Sequence, residues 1–382
     1  MSDWAHRRAR FVLPRGADGC DAVYLAGNSL GALPRAVVDA TRDAVVGQWG
    51  AHGVAGWDEL GWWEAPRRVG DRLGRLVGAQ PGQVVAGDST SVQLFSALVA
   101  GARLRPGRGV LLSDAGHFPT DRYLAASVAR LTGLTLRTGG PHDLRPDTDT
   151  AVVAVPAVDF RTGERVDLDA VVGRAHDAGA VVVVDLSHAA GVLPVDLDAL
   201  GADLAVGCSY KYLNGGPGAP AFAYVAARHH GVLDPPLTGW TGHARPFAME
   251  EQWAPAPGAQ QLRVGTPPML SLLALEAALG EFDDVAVTDL RERSLDLGEK
   301  FLDALAPGTD VVTPRDRPRR GGHVAVRVDD AAARCAELGA LGVVVDARPP
   351  DLLRFGFSPL YVAEDDATAA ADALARVTRA RA

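Results

Sequence analysis

Four short runs of apolar, mostly β-branched residues recur through the middle of the chain. They occupy residues 109–114, 150–156, 180–186 and 204–208. None alternates between apolar and polar side chains, and unbroken apolar runs of this length are typical of parallel strands buried on both faces. Helical patterns lie between them, for example at 121–131 and 168–178. The alternation predicts an α/β fold with a mostly parallel central sheet covered by helices.

The last third of the chain has a different pattern. Helical stretches at 271–282 and 285–305 precede two strand candidates, 322–328 and 342–346, and a closing helix from about Asp365. This mixture predicts a smaller α+β domain, with which the N-terminal segment is expected to pack. We therefore predict a large domain over 47–266 and a small domain formed by 1–46 together with 267–382.

Composition excludes several functional classes. The net charge is −9 and the basic residues form no stripe, so a nucleic-acid partner is not expected. The longest apolar runs have the length of strands, well short of a membrane span. The three cysteines (Cys20, Cys208 and Cys335) are far apart, which favours neither disulfides nor a metal site. With no apolar signal-peptide core near Met1, we expect a cytoplasmic protein with no membrane or metal partner.

Two polar residues stand where buried strands are expected to end. Asp185 closes the run 180–186, and Lys211 follows the run 204–208. Open α/β sheets bind ligands at that edge. Pyridoxal phosphate (PLP) needs a lysine for its aldehyde and a carboxylate for its ring nitrogen. The alternative interpretation is that Asp185 caps a turn and Lys211 lies on the surface; their spacing alone does not separate the two.

A hydroxyl-rich turn supplies a candidate phosphate site. Residues 87–91 read Gly-Asp-Ser-Thr-Ser and open a helical stretch. The free N–H groups and the dipole at a helix N-terminus favour a phosphate dianion, and the hydroxyls of Thr90 and Ser91 add donors. Ser and Thr are also ordinary helix caps, so this turn gains weight only beside Asp185 and Lys211.

Several further motifs give the chain a specific resemblance. They are Gly27-Asn28-Ser29-Leu30-Gly31, Phe118-Pro119-Thr120-Asp121, Arg161-Thr162-Gly163, Ser209-Tyr210-Lys211-Tyr212-Leu213-Asn214, Gly239-Trp240-Thr241-Gly242-His243 and Gly265-Thr266-Pro267-Pro268. In this order they resemble the kynureninase family, from about Val23 to Tyr361. The resemblance implies PLP fold type I. It also implies hydrolytic cleavage of the Cβ–Cγ bond of L-kynurenine, 3-hydroxykynurenine or a ring-substituted analogue, giving an anthranilate and L-alanine.

The resemblance also implies a role for each matching position. Lys211, Tyr210 and Asp185 would be catalytic, with Lys211 joined to the cofactor and Tyr210 acting as general acid and base. The other expected cofactor contacts are Thr90, Ser91, Phe118, Thr120, Asp121 and His188, with Trp240 and Thr266 coming from the second subunit of a homodimer with shared active sites. The expected substrate contacts are Arg354, which would bind the α-carboxylate, Ser29, and His52 or Trp57 beside the aromatic ring.

Three positions depart from the family pattern. Pro156 stands where a hydroxyl residue is usual, Asp159 adds a charge near the expected cleft, and Ala26 replaces a more polar residue.

Two alternative functions remain. A cysteine desulfurase on the same fold would need a reactive thiol on a mobile loop, but Cys208 and Cys335 are expected in a strand and a helix. A non-catalytic cofactor-binding protein would be expected to have lost Lys211 or Arg354, and both are present.

Overall fold

The structure is a computed structural model that describes residues 4–16 and 19–379. Its strands, in chain order, are β1 (Phe11–Val12), β2 (Val23–Tyr24), β3 (Leu33–Pro34), β4 (Val84–Ala86), β5 (Val110–Asp114), β6 (Thr135–Gly139), β7 (Thr150–Pro156), β8 (Val181–Asp185), β9 (Leu204–Gly207), β10 (Phe222–Val225), β11 (His323–Arg327), β12 (Val343–Val344), β13 (Asp346–Arg348) and β14 (Leu352–Gly356).

The helices are α1 (Trp4–Arg8), α2 (Arg35–Arg42), α3 (Gly50–His52), α4 (Gly56–Glu59), α5 (Ala65–Leu76), α6 (Thr90–Arg103), α7 (Pro119–Thr132), α8 (Leu168–Asp177), α9 (Leu197–Leu200), α10 (Met269–Ala278), α11 (Val287–Ala304), α12 (Ala331–Ala340) and α13 (Glu364–Arg379). A π-helical stretch, Asp43–Trp49, joins α2 to α3. Within the described ranges, none of these helices is long and apolar enough to cross a membrane.

The central sheet has seven strands in the order β4-β10-β9-β8-β7-β5-β6. β10 is antiparallel to both of its neighbours, and the other six strands share one direction. The predicted mostly parallel sheet is therefore confirmed. The four predicted runs are β5, β7, β8 and β9. No strand was predicted at β4, β6 or β10. β4 has only three residues and β6 contains Thr and Arg, whereas β10 is as long as β9 and its apolar residues could have predicted it.

Side chains from successive positions of each central strand pack on opposite sides of the sheet. In β7, Val152 and Ala154 belong to the core under α6 and α7, whereas Val153 and Val155 belong to the core that includes α5 and α8. Burial on both faces explains why these runs contain no polar residue until they end. Helices therefore cover both faces, as predicted.

The C-terminal part contains a three-stranded antiparallel sheet in the order β11-β14-β13. The predicted strand 342–346 was wrong as a single element: β12 pairs in parallel with β2, and β13 turns away to join β14. The predicted helix 271–282 starts two residues earlier and ends in a 3₁₀ turn, Leu279–Phe282. Pairing of β2 with β12 shows that the N-terminal segment packs with the C-terminal part; the domain boundaries themselves stay a prediction.

The strand register aligns the carboxyl ends of the parallel strands. Pro156 lies opposite Asp185, and Asp185 lies opposite Val206. The loops after β4, β5, β7, β8 and β9 consequently emerge at one edge of the sheet. These loops carry most of the residues singled out above.

Candidate active site

A cavity of about 430 Å³ lies at this edge of the sheet. The predicted site residues that line it are Ser29, Thr90, Ser91, Phe118, Thr120, Asp121, Asp185, His188, Tyr210 and Lys211. They come from the N-terminal segment, from the starts of α6 and α7, and from the loops after β8 and β9. The fold therefore gathers into one cavity residues that lie up to about 180 positions apart in the chain.

Lys211 projects into the cavity beside a neutral histidine. Its Nζ lies 3.0 Å from Nε2 of His188. Burial, followed by the charge of Lys211, holds the pKa of His188 well below its usual value. A neutral imidazole can accept a hydrogen bond at Nε2, so His188 orients the amine of Lys211 rather than repelling it.

Asp185 is one of two carboxylates that share a buried, acidic part of the cavity wall. Its Oδ1 accepts a hydrogen bond from the backbone N–H of Ser187 at 2.8 Å. Burial, and then the charge of Asp121, raise the pKa of Asp185, while His117 and Lys211 act in the opposite direction. Two buried carboxylates are expensive unless a cation lies between them, so this part of the wall is suited to a cationic ring nitrogen.

His117 was not identified from the sequence, yet it contacts this acidic group. Its Nδ1 lies 2.9 Å from Oδ2 of Asp121, and ligand atoms of His117, Asp121 and Asp185 all lie within 4.8 Å of one another. Burial lowers the pKa of His117, but the neighbouring carboxylates, Asp121 first, raise it more, and the net shift is upward. In the sequence, only the position of His117 directly before the Phe-Pro-Thr-Asp motif pointed to a role in the site.

The part of the cavity at the start of α6 is suited to an anion. Helix α6 begins at Thr90, and Ser89 caps it by accepting a hydrogen bond from the N–H of Val92. The first N–H groups of a helix have no partner within that helix and point outwards at its N-terminus. Thr90 and Ser91, the first two helical residues, line the cavity and add two hydroxyl donors. A phosphate group fits this end.

Tyr210 and Phe118 also line the cavity. Burial is the main cause that raises the pKa of Tyr210 well above its usual value, so its phenol keeps its proton at neutral pH. Phe118 is 41% exposed and its ring meets that of Phe160 edge to face, with centroids 5.2 Å apart. A flat ring stacked on Phe118 would therefore contact a side chain whose orientation is already fixed by Phe160.

Arg354, the expected carboxylate-binding residue, is fully buried behind the cavity wall. In front of it stand Asp346 and Arg348, which line the cavity and were not identified from the sequence. Asp346 directly follows the apolar run Val343-Val344-Val345, so it shows the same sequence feature by which Asp185 was predicted. Ser187, Val158 and Phe160 also line the cavity without having been predicted.

Besides Arg354, four predicted site residues do not line the cavity of their own chain. His52 is exposed and bonded to Glu59, and the ring of Trp57 packs on that of Trp62 at 5.6 Å. Trp240 packs on Trp63 at 5.4 Å and is 42% exposed, and Thr266 is exposed. The expectation that Trp240 and Thr266 act in a second subunit is compatible with these positions and stays a prediction.

The three unusual positions have different surroundings. Pro156 lines the cavity. Asp159 does not line the cavity. Its Oδ1 accepts hydrogen bonds from the N–H groups of Arg161 and Thr162, so it stabilises a turn. Burial raises the pKa of Asp114, and the charge of Asp159 adds to that shift. Ala26 is buried and forms a bridge with Gly356.

The cysteines do not line the cavity. Cys208 is buried directly after β9, and Cys335 lies within α12 with its Sγ near the carbonyl of Val345. Burial raises the pKa of both thiols, which makes each a poor nucleophile. Neither thiol has the exposed, mobile position that a desulfurase requires.

Comparisons with known proteins point to one family. A family model described as the kynureninase C-terminal domain matches residues 290–374. The chain is 46% identical to a kynureninase from Deinococcus radiodurans, over 98% of this chain and 93% of that one. It is 39% identical to a kynureninase from Pseudomonas fluorescens, over 93% and 87% of the two chains.

Solved structures match the fold at lower identity. The cysteine desulfurase CsdA from Escherichia coli superposes with a TM-score of 0.82 at 22% identity, over 99% of this chain and 98% of that one. A K223A mutant of C-DES with glycine covalently linked to its PLP cofactor gives a TM-score of 0.82 at 18% identity, over 97% and 99%. At these identities the likeness concerns the fold alone.

The sheet order and the likeness to these structures define PLP fold type I, which confirms the predicted fold. The predicted cofactor, PLP, is confirmed by the family that the relatives show. At 46% identity over almost its whole length, the chain belongs to the kynureninase family. Its predicted enzyme class, a hydrolase that acts on carbon–carbon bonds, is confirmed with it.

Proposed function

We propose that the chain cleaves the Cβ–Cγ bond of L-kynurenine or 3-hydroxykynurenine with water, releasing anthranilate or 3-hydroxyanthranilate and L-alanine. The observation that carries this proposal is the arrangement of Lys211, Asp185 and the N-terminus of α6 around one cavity. A lysine, a carboxylate and a phosphate site are the groups that PLP needs. The names of the relatives supply the substrate class.

When bound, PLP supplies a ring that accepts the electrons released as bonds to the substrate break. Asp185 and Asp121 would hold the ring nitrogen in its cationic form, because a cation relieves two buried carboxylates. Thr90 and Ser91 would bind the phosphate, and Phe118 would contact the flat face of the ring. These assignments follow from the chemistry of each side chain and from its place in the cavity lining.

Proton transfers are assigned to Lys211 and Tyr210. Lys211, once displaced by the substrate amine, would move the proton of the α-carbon, with His188 keeping Nζ in place at 3.0 Å. Tyr210 retains its proton at neutral pH, so it is suited to donate that proton as the γ-carbonyl reacts with water and the β-carbon is released. Substrate, water and the two products balance without any further reactant.

We also propose that the protein acts as a homodimer. The rings of Trp63, Trp240 and Phe247 form a cluster with centroids 4.8–5.9 Å apart. Phe247 and Met249 are 65% and 74% exposed. Large apolar side chains grouped at a surface favour a protein partner, and a second copy of this chain would bring Trp240 and Thr266 to the neighbouring cavity.

A cytoplasmic location also belongs to this proposal. It rests on the absence of a disulfide at Cys208 and Cys335 and on an acidic, well-mixed surface charge.

The test is a product assay on the PLP-loaded protein. Kynurenine and 3-hydroxykynurenine are supplied side by side, anthranilate is followed by its fluorescence and L-alanine by a coupled assay. We expect equal amounts of the two products, and the ratio of kcat/KM ranks the two substrates. A protein that shows cofactor absorbance but releases neither product from either compound would contradict the proposal, and the cavity-lining position Pro156 would then be examined first.

A further inference from the structure

The thiol of Cys208 is buried outside the cavity lining, in contact with Tyr210. Cys208 directly follows β9 and is 3% exposed. Tyr210, two residues further along, lines the cavity. The hydroxyl of Tyr210 and the thiol of Cys208 are side-chain hydrogen-bond partners. The residue assigned above as proton donor therefore has a fixed partner on the protein side of the cavity wall.

The direction of this hydrogen bond follows from a second contact of the thiol. Sγ of Cys208 donates to the carbonyl of Ser187 at 3.7 Å. A thiol has one proton, so the sulfur offers Tyr210 only its lone pairs, and the phenol is the donor. Burial raises the pKa of the Cys208 thiol, so its proton stays on sulfur at neutral pH. The hydrogen bonds therefore run from Tyr210 to Cys208 and from Cys208 to Ser187.

Ser187 belongs to the loop that carries two other site residues. Its backbone N–H donates to Oδ1 of Asp185 at 2.8 Å. The next residue, His188, lies 3.0 Å from Nζ of Lys211. The thiol consequently connects Tyr210 to the loop 185–188, which supplies both the carboxylate for the ring nitrogen and the histidine beside the lysine.

The backbone around Tyr210 is held by other contacts. The carbonyl of Tyr210 accepts a hydrogen bond from the N–H of Gly31 at 2.8 Å, and the carbonyl of Ser209 accepts one from the N–H of Gly215 at 2.9 Å. Rotation of the Tyr210 side chain is the freedom that remains, and the hydroxyl at its far end moves most. Sulfur is a weak acceptor, so it can locate this hydroxyl and still compete little with a substrate oxygen for the proton.

We propose that Cys208 is a positioning residue for Tyr210, whose phenolic oxygen it fixes at the place from which the proton passes to the substrate. This inference rests on the proposed function, since it concerns the proposed proton donor of that reaction. The thiol touches no substrate and keeps its own proton throughout. Its loss therefore slows proton donation and leaves substrate binding unchanged.

The first test separates kcat from KM in the PLP-loaded protein with kynurenine. We expect Cys208→Ala to lower kcat about 3- to 10-fold, the effect of one lost weak hydrogen bond, and to change KM less than about twofold. Cys208→Ser keeps a hydroxyl partner and is expected to fall between wild type and Cys208→Ala. Cys335→Ala is the matched control, because that thiol donates to the carbonyl of Val345 at 3.5 Å and does not line the cavity. It is expected to change neither constant.

The second test combines Cys208→Ala with Tyr210→Phe. Once the hydroxyl of Tyr210 has been removed, Cys208 has nothing left to position, so Cys208→Ala is expected to lower kcat by less than about twofold further. A further reduction as large as that in the wild-type background would overturn the inference, because the thiol would then act independently of Tyr210. Wild-type kcat in Cys208→Ala would overturn it as well.

A third measurement does not depend on turnover. The S–H stretching vibration lies in an infrared region free of other protein bands, and the band of Cys208 is the one that Cys208→Ala removes. In the PLP-loaded protein without substrate, we expect Tyr210→Phe to shift this band to higher frequency. A sulfur that no longer accepts a hydrogen bond donates a weaker one to Ser187. An unshifted band would contradict the contact.

The two proposals fail in distinguishable ways. If the wild-type protein cleaves neither kynurenine, but Tyr210→Phe shifts the Cys208 band, the contact stands and the proposed reaction fails. If the wild type cleaves kynurenine, while Cys208→Ala has normal kcat and Tyr210→Phe leaves the band in place, the reaction stands and the role of Cys208 fails.

Discussion

The backbone N–H of Gly31 donates a hydrogen bond to the carbonyl of Tyr210 at 2.8 Å. This contact joins the N-terminal Gly-Asn-Ser-Leu-Gly motif to the loop that carries Lys211. A Cβ atom at Gly31 would lie within 3.0 Å of the carbonyl oxygen of Lys211 and of Oδ1 of Asn214. The two motifs are thus packed backbone to backbone, and only glycine allows it.

We predict that Gly31→Ala destabilises the protein by about 1–3 kcal/mol, the usual cost of overpacking, and weakens PLP binding because the lysine loop must shift. Urea unfolding and cofactor titration measure the two effects. Gly173→Ala is the control: Gly173 lies inside α8 with no atom near its Cβ position, so the change is expected to stabilise by about 1 kcal/mol. A Gly31→Ala protein as stable as wild type would show that the packing is looser than described.

Lys211→Ala tests the covalent attachment of the cofactor. Removal of Nζ leaves His188, Asp185 and the phosphate end of the cavity in place. We expect the purified variant to lose the long-wavelength absorbance of lysine-bound PLP while still binding the cofactor non-covalently. Absorbance spectra before and after dialysis check this. Retention of the lysine-bound band would remove Lys211 from its role.

Most of the central sheet and its ligand-binding edge could be predicted from the sequence, because the central strands are buried on both faces. The unbroken apolar runs containing Val152 and Val183 are typical of such strands, and a carboxylate at the end of one, Asp185, indicates a ligand-binding edge. Asp346 had the same signal as Asp185, but the position of Arg348 at the cavity was beyond prediction, since it depends on how β13 pairs with β14, which a short mixed strand does not encode locally. The incorrect single strand at 342–346 has the same origin: its residues pair with two different sheets.

Tyr210→Phe separates chemistry from binding. The substitution removes one hydroxyl whose proton is retained at neutral pH, and leaves the ring in its place beside Lys211. We predict normal folding and cofactor absorbance, with kcat reduced about 10²- to 10⁴-fold, the range expected when a positioned acid is lost. Single-turnover and steady-state rates measure this. Wild-type turnover in the variant would reject Tyr210 as the proton donor.

His117→Asn tests the charge balance around Asp185. His117 faces Asp121, Asp185 and Asp114, and its pKa in the folded protein lies above the ordinary value of 6.5. A raised pKa means that its contribution to stability is full below about pH 6.5 and is lost as the pH rises through the folded-state value. We predict that the stability advantage of wild type over His117→Asn, both without cofactor, is largest near pH 6 and shrinks towards higher pH. Urea unfolding at a series of pH values measures it. A difference that stays constant or grows with pH would contradict the assignment.

The proposed sharing of active sites between subunits can be tested by mixing two inactive variants. Lys211→Ala removes the lysine of its own cavity, whereas Trp240→Ala would impair the cavity of the partner. When the two are unfolded together and refolded, about half of the dimers are mixed, and one of the two sites in each mixed dimer has both residues, so about a quarter of wild-type activity should return. The control mixes Lys211→Ala with Tyr210→Phe. Both of those residues line the cavity of one chain, so no mixed dimer has an intact site and no activity should be gained. Equal results from the two mixtures would show that Trp240 serves its own chain or none, because only a residue contributed across an interface can be supplied by the other subunit.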